Sequence, residues 1–241
     1  MQDCDGKFAS TPQTIAEKFN DYFATIAEKL KSKISTNIGY DYQFMDINSK
    51  TYISNSIYLA PTNSTEISQI IDSLKVKATA DINVASIKKA KNTNTKFCEV
   101  VADIINRSFL EGVFPSNLKN AKVVPVHKGG TKVNIENYRP ISLLSAFSKI
   151  YEKVMYTRVY DFLSQNSILN ENQFGFRRGR SCEQALLTAQ NEILKSLNKK
   201  QISLLLLIEF SKAFDMVYND ILLEKLNKYG IRGIKACCFN W

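Results

Sequence analysis

The stretch LLLLIEFSKAFDMV, Leu204 to Val217, decides how the rest of the chain is read. Five apolar residues run straight into Glu209, and a second carboxylate, Asp215, follows six positions later. The run sits between a Lys199-Lys200 turn and a helix-prone segment, so a short buried strand over Leu204 to Phe210 is predicted. Glu209 then stands at the C-terminal end of that strand, where open α/β sheets commonly display catalytic side chains.

Working outward, the chain has 241 residues, 44% hydrophobic and 23% charged, enough for one large domain or two small ones. Lys and Arg number 32 against 23 Asp and Glu, giving a formal charge of +9 and a pI near 9.2. That balance favours a polyanionic partner, either nucleic acid or an anionic membrane. Base composition alone also produces such a bias, since Lys, Asn and Ile are all abundant. The arginines say more than the net charge. Arg107, Arg139, Arg158, Arg177, Arg178, Arg180 and Arg232 are the full set, and three of these seven crowd into one loop. A lysine-rich chain that gathers its few guanidinium groups there points to forked phosphate contacts.

The five cysteines are scattered and contain no C-x-x-C pair, which indicates neither a disulfide framework nor a zinc site. An intracellular setting, cytoplasm or nucleus, is expected. The start, MQDCDGKF, does not read as a signal peptide, and no apolar run approaches the roughly 18 residues of a membrane span. With His127 the single histidine, His-dependent triads, H-E-x-x-H sites and multi-His metal centres are excluded or severely limited. No G-x-G-x-x-G or Walker-type phosphate loop occurs.

Along the chain, Thr11-Pro12 followed by Ile15, Phe19, Tyr22, Phe23, Ile26 and Leu30 predicts a helix over about 12 to 33. Residues from about 34 to 60 show no period and read as a linker or poorly packed connection. Asn63 and Glu66 form a prospective capping box for a helix over about 64 to 75. Further helices are expected near 83 to 91 and 93 to 111, the second closed by Gly112 and Pro115. From Ala121 the texture changes: VVPVHKGG and NYRPISLL predict a hairpin with Lys128 near its tip and Arg139 on the returning arm. Basic residues facing each other across such an arm grip a phosphate; an ordinary hairpin with solvated charges is the competing account.

Phe147, Ile150, Tyr151, Val154, Met155, Val159, Phe162 and Leu163 form a helical core stripe. In QFGFRRGRSC, Phe174 and Phe176 interleave with Arg177, Arg178 and Arg180, an arrangement in which rings stack on bases while guanidinium groups hold phosphates. A buried aromatic anchor beneath a solvated loop explains the same residues. Ser181 caps a helix to about Asn198 with Ala185, Leu186, Ala189, Ile193 and Leu197 turned inward, and a last helix runs from Asn219 to Tyr229, ending at Gly230.

Four pieces in this order, AKVVPVHKGG, NYRPISLLSAFSKIYEKV, NQFGFRRGRSCEQAL and EFSKAFDMVYNDILLEKLNKYGIRG, resemble the reverse transcriptase of non-LTR (LINE-type, Jockey-like) retrotransposons. TPQTIAEKFNDYF, EISQIIDSLK and LEGVFPSNLKNAKV are similar to the helical lead-in of that domain. The resemblance implies an RNA-templated DNA polymerase of right-hand, α+β fold. This chain then holds a helical lead-in and linker over 1–60, a helical segment over 61–120, and over 121–241 the fingers with the first part of the palm.

It further implies an RNA template, a DNA primer and deoxynucleoside triphosphates as partners, no membrane, and Mg²⁺ as cofactor. In such polymerases two Mg²⁺ ions about 3.5 to 4 Å apart activate the primer hydroxyl and stabilise the leaving pyrophosphate, and oxygen ligands suit this hard cation. Carried over position by position, Glu209 is the catalytic metal ligand and Phe214 the aromatic that polices the incoming sugar. Asp215 matches a family position without a metal role. Lys128 and Arg139 match the residues that hold the triphosphate, and Arg177, Arg178 and Arg180 lie where template or nucleotide contacts are expected.

The sequence departs from the family in two places. Glu209 stands where the family has Asp, and its extra methylene displaces the carboxylate by about 1 Å, a misplacement that costs about a hundredfold in rate. KATADINV, around Asp81, replaces a glycine-bearing turn. In the family the Ala-Asp-Asp-type hairpin and the template-handling loop lie beyond the position of Trp241. The expectation is therefore a fragment without polymerase activity of its own, with a non-catalytic RNA-binding module or a decayed remnant as alternatives.

Overall fold

The computed structural model describes residues 11–35, 53–75, 95–210 and 212–232. Helix α1 spans Pro12–Ser35. Proline at its first position loses no intrahelical bond, and the Thr14 N–H donates to Thr11 Oγ1 at 3.3 Å. Helix α2, Ser64–Ser73, begins at Asn63, whose side chain accepts from the Glu66 N–H at 2.9 Å. Only half of the expected capping box forms. The Glu66 carboxylate accepts instead from Thr62 Oγ1 at 2.7 Å and pairs with Arg158.

Helix α3, Thr95–Glu111, packs against α2 and buries Cys98, Val101, Ala102, Ile105 and Phe109. It ends at Gly112, φ 68°, with the Val113 N–H reaching back to the Ser108 carbonyl at 3.2 Å, the usual way a left-handed residue terminates a helix. The helix expected at 83 to 91 and the turn around Asp81 lie outside the described residues.

Strands β1, Lys122–His127, and β2, Tyr138–Leu143, pair antiparallel with Val126 opposite Arg139 and Pro125 opposite Pro140. The Lys128 N–H donates to the Asn137 carbonyl at 2.8 Å. Antiparallel pairs alternate, so Pro125 and Pro140 form a non-hydrogen-bonded pair whose nitrogens face the ribbon's outer edges. Two prolines thus cost the ladder nothing and blunt both edges against further pairing. In the connection Gly130 has φ +79°, and a Cβ there would meet the Asn137 side chain at 2.7 Å, so a substitution is strained in its backbone and displaces Asn137.

A bare two-stranded ribbon is marginal in water, and α1 supplies its missing partner. Phe19, Tyr22 and Ile135 are buried together, with Ile15, Phe23, Ile26 and Tyr138 packed around them. Phe19 meets Tyr138 edge-on at 5.0 Å. Alongside lies an apolar groove of about 660 Å³ lined by Ile15, Phe19, Phe23, Val123, Pro125 and Pro140 among others.

Helix α4 covers Ala146–Gln165 and buries Ile150, Tyr151, Val154 and Met155. The Tyr151 ring stands edge-on to Phe109 (5.7 Å) and Phe114 (4.6 Å), and its hydroxyl lies 2.6 Å from Ser108 Oγ. A buried phenol is tolerated because its oxygen is satisfied. Helix α5, Cys182–Asn198, opens with a full capping box between Ser181 and Gln184, and helix α6 covers Asn219–Lys228.

The chain falls into two compact units. One comprises Met1–Val159 and Phe214–Trp241, the other Tyr160–Ala213. In the first, residues 53–59 correct the expectation of a poorly packed connection: Ile57 and Leu59 are buried, and the Ile57 N–H donates to the Gly230 carbonyl at 2.9 Å. The second departs further from expectation. Residues 201–210 join no sheet, and Leu204, Leu206 and Leu207 are 95%, 77% and 83% exposed. The predicted buried strand is absent because a strand exists only through a partner that takes its N–H and C=O groups, and the sheet among the described residues is β1 with β2 alone. Nor does α5 turn an apolar face inward. Leu186 and Leu197 are exposed, and no residue of the helix is buried.

Candidate nucleic-acid interface

The hairpin's two faces have different fates. Side chains alternate along each strand and match across the ladder. Val123, Pro125, Tyr138 and Pro140 therefore lie on the α1 side, and Lys122, Val124, Val126, Lys128, Arg139 and Ile141 on the other. Lys128 and Arg139 are exposed on this open face, separated diagonally by one ladder step. Lys128 stands where β1 enters the connecting turn rather than at the hairpin tip. Two cations with apolar neighbours on a rigid ribbon suit a polyphosphate that carries a flat, partly apolar group.

In the second unit, Arg177, Arg178 and Arg180 are each anchored differently. Arg177 Nη1 donates to the Asn170 carbonyl at 2.6 Å and its Nη2 reaches Glu171 Oε1 at 3.5 Å. Arg177 Nε is buried and makes no hydrogen bond among the described residues. Arg180 pairs with Glu171 Oε2, and its guanidinium lies over the Phe174 ring at 5.4 Å. Arg178 covers the Tyr160 ring at 4.5 Å and reaches Asp161 at 3.3 Å.

The Arg178 backbone N–H, donated to the Tyr160 hydroxyl at 3.1 Å, holds that hydroxyl below the usual phenol range, and Arg177 adds to the effect. The two phenylalanines differ in their surroundings. Phe174 is the half-buried anchor, whereas Phe176 is 85% exposed and held at φ 59°, a left-handed conformation costly for an aromatic residue.

Glu209 lies in the exposed segment 201–210 of the second unit, which has no regular secondary structure, while Phe214 (78% exposed) and Asp215 belong to the first. Of the predicted residues, Lys128 and Arg139 stand together on the hairpin of the first unit, and the second unit holds the three loop arginines and Glu209. Among the described residues no group of three or more His, Cys, Asp or Glu side chains is placed to hold a metal ion. A pair of Mg²⁺ ions needs several converging oxygens, so these residues do not fit that cofactor, and no metal-dependent step follows from them.

Residues 126–240 match the protein family described as reverse transcriptase (RNA-dependent DNA polymerase). This segment is similar to reverse-transcriptase sequence. Over 180 residues, 74% of the chain and 20% of the relative, it is 31% identical to the "Probable RNA-directed DNA polymerase from transposon BS" of Drosophila melanogaster. Identity is 25% over 174 residues, 72% of the chain and 19% of the relative, to the "RNA-directed DNA polymerase from mobile element jockey" of the same fly. It is 32% over 107 residues, 44% and 12%, to the "Probable RNA-directed DNA polymerase from transposon X-element". The chain spans about a fifth of the length of the first two of these curated relatives.

Both basic clusters, Glu209 and Phe214 fall inside the matched residues 126–240. So do three residues that sequence reasoning passed over: Tyr160, Asp161 and Glu171. Their signal was present, as acids and a phenol within twenty residues of the arginines. Attention to the cations alone missed the partners that hold them. Among the described residues, no helix of this chain is long and apolar enough to cross a membrane.

Proposed function

We propose that this chain forms the nucleotide- and template-holding front of an RNA-directed DNA polymerase, the fingers and first part of the palm of a right-hand fold, and that alone it binds RNA without joining nucleotides. The observation that carries the reading is the open hairpin face, where Lys128 and Arg139 stand together within residues 126–240. Cations fixed on a ribbon braced by α1 neutralise a triphosphate without first having to be ordered. Arg177, Arg178 and Arg180 contact template phosphates, and Phe176 offers a ring to an unstacked base. Phe214 faces the sugar of the incoming nucleotide. Glu209 is the single carboxylate assigned to metal chemistry, and one carboxylate does not hold two ions.

The test offers purified chain a primed RNA template with Mg²⁺ and all four deoxynucleoside triphosphates. RNA binding weakens with salt and falls severalfold when Arg177 and Arg178 become Ala, and no primer is extended. Extension that disappears in Glu209→Ala overturns the non-catalytic half of the proposal. Equal affinity for RNA and for a neutral polymer overturns the binding half.

A further inference from the structure

The Glu171 carboxylate uses its two oxygens on two different guanidinium groups, Oε1 on Arg177 and Oε2 on Arg180. A phosphodiester offers the same arrangement, two anionic oxygens carrying one negative charge. The layering is uneven. Glu171 is 77% exposed, while the side chains of Arg177 and Arg180 beneath it are 13% and 31% exposed. Solvent therefore reaches the carboxylate before it reaches the cations.

We infer that Glu171 occupies the place of a nucleic-acid phosphate on Arg177 and Arg180 and competes with it, which makes this carboxylate a determinant of RNA affinity. The inference rests on the reading of the arginine loop as an RNA-binding surface. Three further observations support it. Arg177 keeps its bond to the Asn170 carbonyl, and Arg180 its place over the Phe174 ring, without any help from Glu171. The Ser181–Gln184 capping box fixes the chain immediately after the loop. The guanidinium pair therefore stays formed when the carboxylate leaves. Exposed ion pairs are individually weak, whereas a phosphate on two guanidinium groups gains charge-assisted hydrogen bonds and releases counterions. Exchange of carboxylate for phosphate is favourable, but the carboxylate lowers the net gain.

A simple brace has the opposite signature. If Glu171 only held the loop together, its removal would loosen both arginines and weaken binding. Glu192 provides the control, because Glu192→Gln changes the net charge equally on an exposed helix face, where this carboxylate pairs with Lys195 at 2.7 Å.

The experiment titrates a fluorescent single-stranded RNA oligonucleotide with the full chain and its variants across a range of salt. Glu171→Gln and Glu171→Ala each tighten binding about two- to tenfold at low salt and steepen the salt dependence by about 0.7, one additional single-strand phosphate. Glu192→Gln gives a clearly smaller gain, and adding Arg177→Ala and Arg180→Ala to Glu171→Gln erases the gain. Unchanged or weaker binding by both Glu171 variants overturns the inference, as does an equal gain from Glu192→Gln. In those cases, weakening by Arg177→Ala and Arg180→Ala leaves the RNA-binding reading standing. If those arginine substitutions leave affinity untouched, the reading itself fails and the inference falls with it.

Discussion

Val123–Val126 and Leu204–Ile208 are both short apolar runs, yet the first is a strand and the second is bare. The difference lies in where the partner is. Strand β1 finds β2 across the short connection 128–137, which includes a 3-10 turn at Ile135–Asn137, so little loop entropy opposes the pairing, and α1 covers one face of the product. A strand over Leu204–Phe210 needs a neighbour from distant sequence, and among the described residues none is hydrogen-bonded to it. Apolar pattern reports what a segment can bury and leaves open whether a second surface is there.

The sharpest way to probe this contrast is to truncate one large side chain in each unit. Tyr151 is 1% exposed between Phe109 and Phe114, so Tyr151→Ala costs about 3–5 kcal/mol. Leu206→Ala, on a residue 77% exposed, changes stability by less than about 0.5 kcal/mol. Urea unfolding of both variants decides. A comparable loss from Leu206→Ala means the run is packed after all.

A smaller effect tests the polar brace of the first unit. Arg158 donates to Glu66 through two nitrogens and to the Ala60 carbonyl at 3.2 Å, while Thr62 and Asn106 exchange bonds of 2.8 and 2.9 Å next to it. The hydrogen bonds from Arg158 hold the Glu66 carboxyl below the usual carboxylate range, against the opposing effect of partial burial. A depressed folded-state pKa contributes stability that is present above the unfolded value, about 4.3, and is lost as pH falls through the folded one. Thermal unfolding from pH 7 to pH 3 should therefore show wild type losing more stability on acidification than Glu66→Gln, which lacks this titration. Parallel curves for the two proteins mean the pair contributes nothing.

Legibility in the sequence followed the same division. The helices from Pro12, Ser64 and Cys182 were readable because capping residues and a 3.6-residue period are local. The hairpin was readable because its two arms are close in sequence. Burial along 204–210 and on α5 was not, since it depends on what covers the segment. Ile57 was missed for the converse reason: nothing local announces that its N–H will meet the Gly230 carbonyl. Among candidate site residues the cations stood out by composition. The carboxylates that engage them, Glu171 and Asp161, lie near them in sequence, but which arginine each one holds is set by three-dimensional pairing.

The central claim is that Lys128 and Arg139, held on the open hairpin face, bind phosphate. Measuring RNA affinity against salt for wild type and for the Lys128→Ala/Arg139→Ala double variant tests it most directly. The account predicts weaker binding and a salt slope shallower by about 0.7 for each phosphate no longer neutralised, with the unfolding transition unchanged. Identical slopes and affinities for the two proteins would contradict it.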